Sequence, residues 1–261
     1  MGYCWNGSDM SQQALLFASY DNPLVLCDSA DFDGTNDYMT RGAGLTGAAD
    51  SKTGILSLWI RLDGGDGATM AILRSTVAAN QFLFLHNSSN IFSLGGDNSA
   101  GTEILLLQSN TAYTAGATWL HFLASWDLAN AAGHLYINGT SDLAAGSTLT
   151  DDTLDYTLAD WGIGAQVDGN LKLNGCLAEF YFAPGQYLDF SNAYNRRKFI
   201  SATGKPVSLG ATGSLPTGTA PLVYQRVADA AAVATFATNL GSGGDFSITG
   251  TLATGSTSPS D

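Results

Sequence analysis

The chain has 261 residues, 45% of them apolar and 13% charged, and a formal net charge of −13. That length and apolar share suffice for a sizeable core, while the negative balance repels a phosphate backbone and excludes nucleic acid as a direct partner. No run reaches the roughly 18 apolar residues of a membrane span. The opening MGYCWNGSDM lacks the basic and apolar regions of a signal peptide, so no membrane partner is expected, and work outside a cell implies carriage by an assembly or release by host lysis.

Glycine is abundant (31 residues) and glutamate is limited to Glu103 and Glu179. Few strong helix formers remain, and the composition is that of short strands and tight turns. Cys4, Cys27 and Cys176 lie far apart with no zinc-type spacing. They read as buried free thiols, with a single Cys4–Cys27 bridge as the alternative.

Residues 1–23 are polar, with a short turn of helix expected at Gln12–Tyr20, and Leu24–Cys27 reads as a short strand. Asp31 to Met39 (DFDGTNDYM) makes a tight turn that leads into a strand at Tyr38–Thr40. In Gly54–Leu62, Leu56, Leu58, Ile60 and Leu62 alternate with Ile55, Ser57, Trp59 and Arg61, so the first set is expected to face the core. Asp63–Gly67 (DGGDG) is a turn. Strands follow at Met70–Ser75, Gln81–Asn87, Ile91–Leu94 and Ile104–Gln108.

The centre of the chain is WLHFLASWDLANAAGHLYINGT, Trp119 to Thr140. Trp119, His121, Leu123 and Ser125 share one strand face, and Leu120, Phe122, Ala124 and Trp126 the other. After a loop, Leu135 and Ile137 share a face, and Asn138-Gly139 marks a type I′ hairpin turn. Trp161–Ala165 and Leu171–Phe182 add further strands. About a dozen strands spaced roughly ten residues apart predict an all-β, two-sheet antiparallel jelly-roll sandwich.

After Pro184-Gly185 the pattern changes. Asp189–Ser201 reads as one short helix with Ser191 as N-cap, a basic last turn, and an apolar stripe of Phe190, Tyr194 and Ile200. From Pro206 the chain is rich in Gly, Thr, Ser and Pro. It reads as an extended arm ordered on its own domain or on a neighbour, with apolar anchors at Leu222, Val223, Tyr224, Phe236, Phe246 and Ile248. The expected organisation is an N-terminal segment (1–23), the sandwich (24–190), and a helix plus arm (191–261).

As a set, FDGTNDYM, LSLWIRL, WLHFLASWD, LYINGT and LNGCLAEFYF resemble the concanavalin A-like, laminin-G-like jelly-roll domains over about residues 24–190. The segments NRRKFISATGKPVSLGATGSLPTGTAPLVY and FATNLGSGGDFSITGTL are similar to C-terminal parts of structural proteins of tailed bacteriophages. The resemblance implies a virion protein that displays a lectin-like domain in a homo-oligomer such as a trimer, with virion proteins and host-surface glycans as partners. Ala178 stands where many calcium-binding relatives carry an aspartate, which weakens a transfer of their metal site.

Asp31, Asp33, Asn36 and Asp37 offer hard oxygen ligands within seven residues. They suit a structural calcium or serve only to shape the turn, and no cofactor is required. Trp126, Tyr156 and Trp161 are candidate sugar platforms beside Asp127, Asn130 and Asp160. A retaining glycosidase needs two carboxylates about 5–5.5 Å apart. Glu103 and Glu179 lack acidic neighbours in the sequence, and no G-x-S-x-G elbow accompanies His86, His121 or His134. The expected function is therefore non-enzymatic, with a free-standing carbohydrate-binding module as the alternative and a glycoside hydrolase behind it.

Overall fold

The computed structural model describes residues 23–75, 80–227 and 229–261. The expected helical turn at Gln12–Tyr20 and Cys4 lie outside the described residues. In chain order the strands are β1 (Ala30–Asp33), β2 (Tyr38–Arg41), β3 (Thr53–Leu62), β4 (Met70–Arg74), β5 (Phe82–His86), β6 (Phe92–Asp97), β7 (Glu103–Gln108) and β8 (Leu120–Asp127). They continue as β9 (Ala132–Ile137), β10 (Thr140–Ser141), β11 (Thr148–Leu149), β12 (Trp161–Ile163), β13 (Asn174–Pro184), β14 (Val223–Gln225), β15 (Ser247–Thr249) and β16 (Ala253–Thr254). They form two antiparallel sheets. Sheet one runs β10-β9-β8-β3-β13-β1-β16, with β14 also on β13, and sheet two runs β11-β7-β6-β5-β4-β12-β2-β15.

Alternation explains the layering. Leu56, Leu58, Ile60 and Leu62 of β3 meet Phe122, Ala124 and Trp126 of β8 and Phe82, Phe84, Phe92 and Leu94 of sheet two in one core. Asn138 and Gly139 both adopt positive φ (51° and 78°) at the predicted hairpin turn. Among the described residues no helix is long and apolar enough to cross a membrane.

The other face of sheet one is buried as well. Ile55, Leu123, Tyr181 and Ala183 pack against Phe190, Phe199, Val207 and Leu209, so the segment after β13 lies over this sheet as a third layer. The predicted helix shrinks to one turn, α1 (Ala193–Arg196). Its N-cap is Asn192 rather than Ser191, and the Asn192 side chain accepts from the Tyr194 N–H. Phe190 and Ile200 are buried but Tyr194 is largely exposed, because chain reversals on either side of α1 break the helical stripe. Leu24–Cys27 makes a single bridge to Val207 instead of a strand.

Of the two placements expected for the arm, the structure shows packing on its own domain. Val223 and Tyr224 pair with Phe182 and Tyr181, Ile248 pairs with Met39, and β16 pairs with β1. Phe236 and Phe246 enter the main core and Leu222 packs against it. The segment after residue 206 thus completes both sheets of its own sandwich. Its apolar patches are core residues, which is why they recur at spacings set by re-entry into the fold.

Candidate functional site

With one face of sheet one covered, the face of sheet two that points away from the core is the less covered outer β surface among the described residues, with Ala71, Ser93, Gly95 and Gly162 buried in it and the residues between them half-buried. Register sets the row Thr148–Leu106–Gly95–Leu83–Arg74–Gly162–Thr40 across β11, β7, β6, β5, β4, β12 and β2. The next row is Gln108–Ser93–Leu85–Ala71. Leu83, Leu85, Leu106, Gln108 and Arg74 are half-buried. Residues 144–147 fold against Leu106 and Gln108 at one end. At the other end a Cβ on Gly162 would fall 2.6 Å from the Ala165 carbonyl, so the loop after β12 rests directly on the sheet. Between these two walls lies an apolar strip with polar edges.

The polar edge has a specific chemistry. Gln108 Nε2 donates to Ser93 Oγ at 3.3 Å. Arg74 Nη2 donates to Gln81 Oε1 at 3.2 Å, and the Gln81 N–H donates to Asp97 Oδ2 at 3.1 Å. Burial pulls the Arg74 guanidinium below its ordinary value. Asp97 stands opposite Glu103 across β6 and β7, where the register shifts. Burial raises the Asp97 carboxyl, and Glu103 is raised by burial and then by the Asp97 charge. The sequence hid this carboxylate pair because the irregular register, not spacing along one strand, makes the two residues neighbours.

The aromatic residues expected to hold sugar do something else. Trp126, Tyr156 and Trp161 are all fully buried. Trp126 Nε1 donates to Tyr156 Oη at 2.9 Å, Tyr156 Oη donates to the Thr53 carbonyl at 3.0 Å, and Trp161 Nε1 donates to the Leu158 carbonyl at 3.1 Å. Their rings pack round Phe82, so no face is open to a ligand. Asp127 and Asn130 remain near the surface and bond each other at 2.7 Å, and Asp160 is half-buried. Without the rings these three make no platform.

The candidate calcium ligands also separate. Asp33 Oδ1 accepts the N–H groups of Thr35, Asn36 and Asp37 at 2.7, 3.0 and 3.3 Å, which lowers its pKa. Asp37 Oδ1 accepts from the Thr251 N–H at 2.7 Å. Asp31 instead joins Asp63 and Cys176, with ligand atoms within 4.8 Å of one another. There Arg61 takes both Asp63 oxygens, at 2.7 and 2.8 Å. The Cys176 thiol is pushed up to about 12 by burial and by Asp31 and Asp63, so it keeps its proton. A guanidinium and a neutral thiol occupy the places that six to eight oxygen ligands of calcium would need, and the group does not fit that ion. Cys27 and Cys176 are buried free thiols.

Glu179 is sealed off. It is 3% exposed, at positive φ (47°), where the β13–β3 register slips. Tyr224 Oη donates to its Oε2 at 2.7 Å. Arg226 Nε lies 3.2 Å from Oε1 as an ion pair off the hydrogen-bond direction. Burial raises its pKa, against Arg226 and Tyr224, which lower it. A cavity of about 440 Å³ opens nearby among Leu26, Cys27, Asp28, Asp229 and Ser260, and among the described residues its lining has neither ring nor cation.

Comparison with known proteins bears on this geometry. No curated protein matches the chain in sequence. A candidate carbohydrate-binding protein from Bacteroides ovatus superposes with a TM-score of 0.54 at 10% identity, covering 89% of this chain and 60% of that one. A heptameric SAP-like pentraxin from Limulus polyphemus gives 0.45 at 13% identity, covering 66% and 82%. Domain 4 of AbnA, an extracellular arabinanase of Geobacillus stearothermophilus solved with arabinotriose, gives 0.45 at 16%, covering 64% and 75%. At such identities the likeness is one of fold. Residues 33–184 match the concanavalin A-like lectin/glucanases superfamily in its laminin-G-like form, and the chain belongs to that family.

Proposed function

We propose that the chain is a non-enzymatic, lectin-like domain that binds carbohydrate on the open face of sheet two. The observation that carries this is the asymmetry of the sandwich. Sheet one is covered on its outer side by residues 186–209, while sheet two offers half-buried Leu83, Leu85 and Leu106 between two loops, edged by Arg74, Gln81 and Gln108. A sugar has the matching form, with C–H faces for the leucines and hydroxyls for the amides and the guanidinium. The test is a glycan array on the full chain beside Leu83→Asp. Wild type is expected to retain a glycan class that the variant loses by about tenfold or more, a difference of about 1.4 kcal/mol. Equal retention by both would move the site elsewhere.

The finer part of the proposal places this domain in the virion of a tailed phage, as a capsid decoration or tail protein in a homo-oligomer such as a trimer, facing host-surface glycans. Its support is the likeness of the C-terminal sequence segments to phage structural proteins. A free-standing carbohydrate-binding module accounts equally well for the fold. Electron microscopy of the native assembly separates the two: projecting density that fits this sandwich is expected, and a chain found only in the particle-free fraction rejects the virion role.

Glycoside hydrolysis is the second reading, favoured by the Asp97–Glu103 pair. It ranks lower because Asp97 is nearly buried and committed to the Gln81 N–H. Polysaccharide cleavage lost in Glu103→Gln would reverse that order.

A further inference from the structure

The chain has six arginines, and the structure commits five of them. Arg41 donates to the carbonyls of Gly44 and Asp245 and to Thr46 Oγ1. Arg61 clamps Asp63. Arg196 serves the Phe190 and Ser191 carbonyls, and Arg197 those of Ile200 and Ser201. Arg226 faces Glu179 and donates to the Leu26 carbonyl. Arg74 has fewer partners than any of them. Among the described residues its single acceptor is the neutral Gln81 Oε1, and its Nε is buried without a partner. Asp168 is near enough to act on it electrostatically, but that carboxylate is tied to the Asn170 N–H, Asn170 Nδ2 and Gln166 Nε2.

A half-desolvated guanidinium with one neutral partner is costly in the free protein, and an incoming anion would offset that cost with charge-assisted hydrogen bonds. Arg74 sits between Leu83 and Gly162 in its row, so an apolar surface lies on one side and a bare backbone position under the loop wall on the other. The planar fork matches a carboxylate better than a point charge would. The rest of the surroundings is acidic: Asp97 and Glu103 lie on the same sheet and the chain carries −13. That field works against sulfated or phosphorylated polyanions and tolerates a ligand that seats a single charge.

On these grounds, and resting on the sheet-two carbohydrate reading above, we infer that the preferred ligand is a saccharide bearing a carboxylate, such as a uronic acid, with the carboxylate paired to Arg74 and the sugar ring against Leu83 and Leu85. Arg74 is then the residue that selects for charge, and the leucines supply charge-independent contact.

The experiment is calorimetry of the full chain with an oligogalacturonate, its methyl ester and the neutral galactose oligomer, preceded by an array that includes uronic, sialic, sulfated and neutral glycans. The carboxylated ligand is expected to bind at least about tenfold more tightly than its ester, and Arg74→Gln is expected to erase that difference while leaving ester binding in place. If Arg74→Gln folds poorly, the acid-to-ester comparison on wild type decides alone. Neutral and carboxylated glycans binding alike would overturn the inference but leave the sheet-two site standing. Sulfated glycans alone on the array would overturn the carboxylate class. Silence across every glycan class would remove the carbohydrate reading itself.

Discussion

His121 shows what burial does to one side chain. It stacks on Trp59 with ring centroids 4.8 Å apart, and its Nε2 lies 3.0 Å from Ser57 Oγ. Burial lowers its pKa to about 3, because removal from water disfavours the charged imidazolium. The folded value lies below the unfolded one of about 6.5. The neutral ring therefore contributes stability that is complete above pH 6.5 and is lost as pH falls from there towards 3, at up to about 1.4 kcal/mol per unit. Glu179, raised by burial, acts in the opposite sense above its unfolded value: its contribution is present at low pH and lost as pH rises through the folded pKa. That term is common to wild type and variant, so it cancels in their difference. Urea midpoints of wild type are expected to fall more steeply from pH 6.5 to 5.0 than those of His121→Gln, and parallel slopes would exclude this role for His121.

At the scale of elements, the DGTND turn and the end of the chain form one device. The turn between β1 and β2 carries the chain from sheet one to sheet two, and β15 and β16 lie along β2 and β1. Two crossings are thereby stacked. Gly250 joins β15 to β16 with φ of 81°, and a Cβ there would fall 2.2 Å from Asp37 Oδ1 and 2.7 Å from the Asn36 carbonyl. Asp37 is nearly buried and takes the Thr251 N–H. The aspartates of this turn therefore shape it and dock the C-terminal strands, which is one of the two roles their residue types allow. Asp37→Ala is expected to cost about 1–3 kcal/mol by leaving the Thr251 N–H unpaired. Gly250→Ala should cost more, since both conformation and space oppose a side chain. In the double variant the two losses are expected to fall short of their sum. Strict additivity in chemical denaturation would mean the crossings are independent.

For the whole molecule, the C-terminal fifth decides whether there is a sandwich at all. Without residues 206–261, β13 loses β14, β1 loses β16 and β2 loses β15, and the core loses Val223, Phe236, Phe246 and Leu252. Large buried side chains contribute about 2–5 kcal/mol each, against a total stability of about 5–15 kcal/mol. The chain truncated after Lys205 is expected to lack cooperative unfolding and to bind a hydrophobic dye. A truncated protein with a sharp thermal transition would show the segment to be a separable arm. It follows that contacts to virion neighbours, if the domain sits in a particle, belong to its outer surfaces and not to a detachable tail. The core was legible in advance because period two in β3 and β8 is a local property. The third layer was not, since Ile55 and Leu123 face outward in the alternation and are buried in a cluster with Phe190, Phe199, Val207 and Leu209, far along the chain.

The amino-acid sequence alone specified the strand pattern, the Asn138–Gly139 hairpin and the apolar inner faces, because alternation and turn chemistry act between near neighbours. It also carried the family resemblance in motifs spread over the first two thirds of the chain. It took the three-dimensional fold to show that Trp126, Tyr156 and Trp161 are core, that the residues after 206 close both sheets, and that among the described residues Arg74 has a single, neutral hydrogen-bond acceptor. One cause underlies all three. Burial, register across a bulge and the pairing of a charge depend on which distant segments meet, and an aromatic ring or a guanidinium looks the same in sequence whether it is enclosed or exposed.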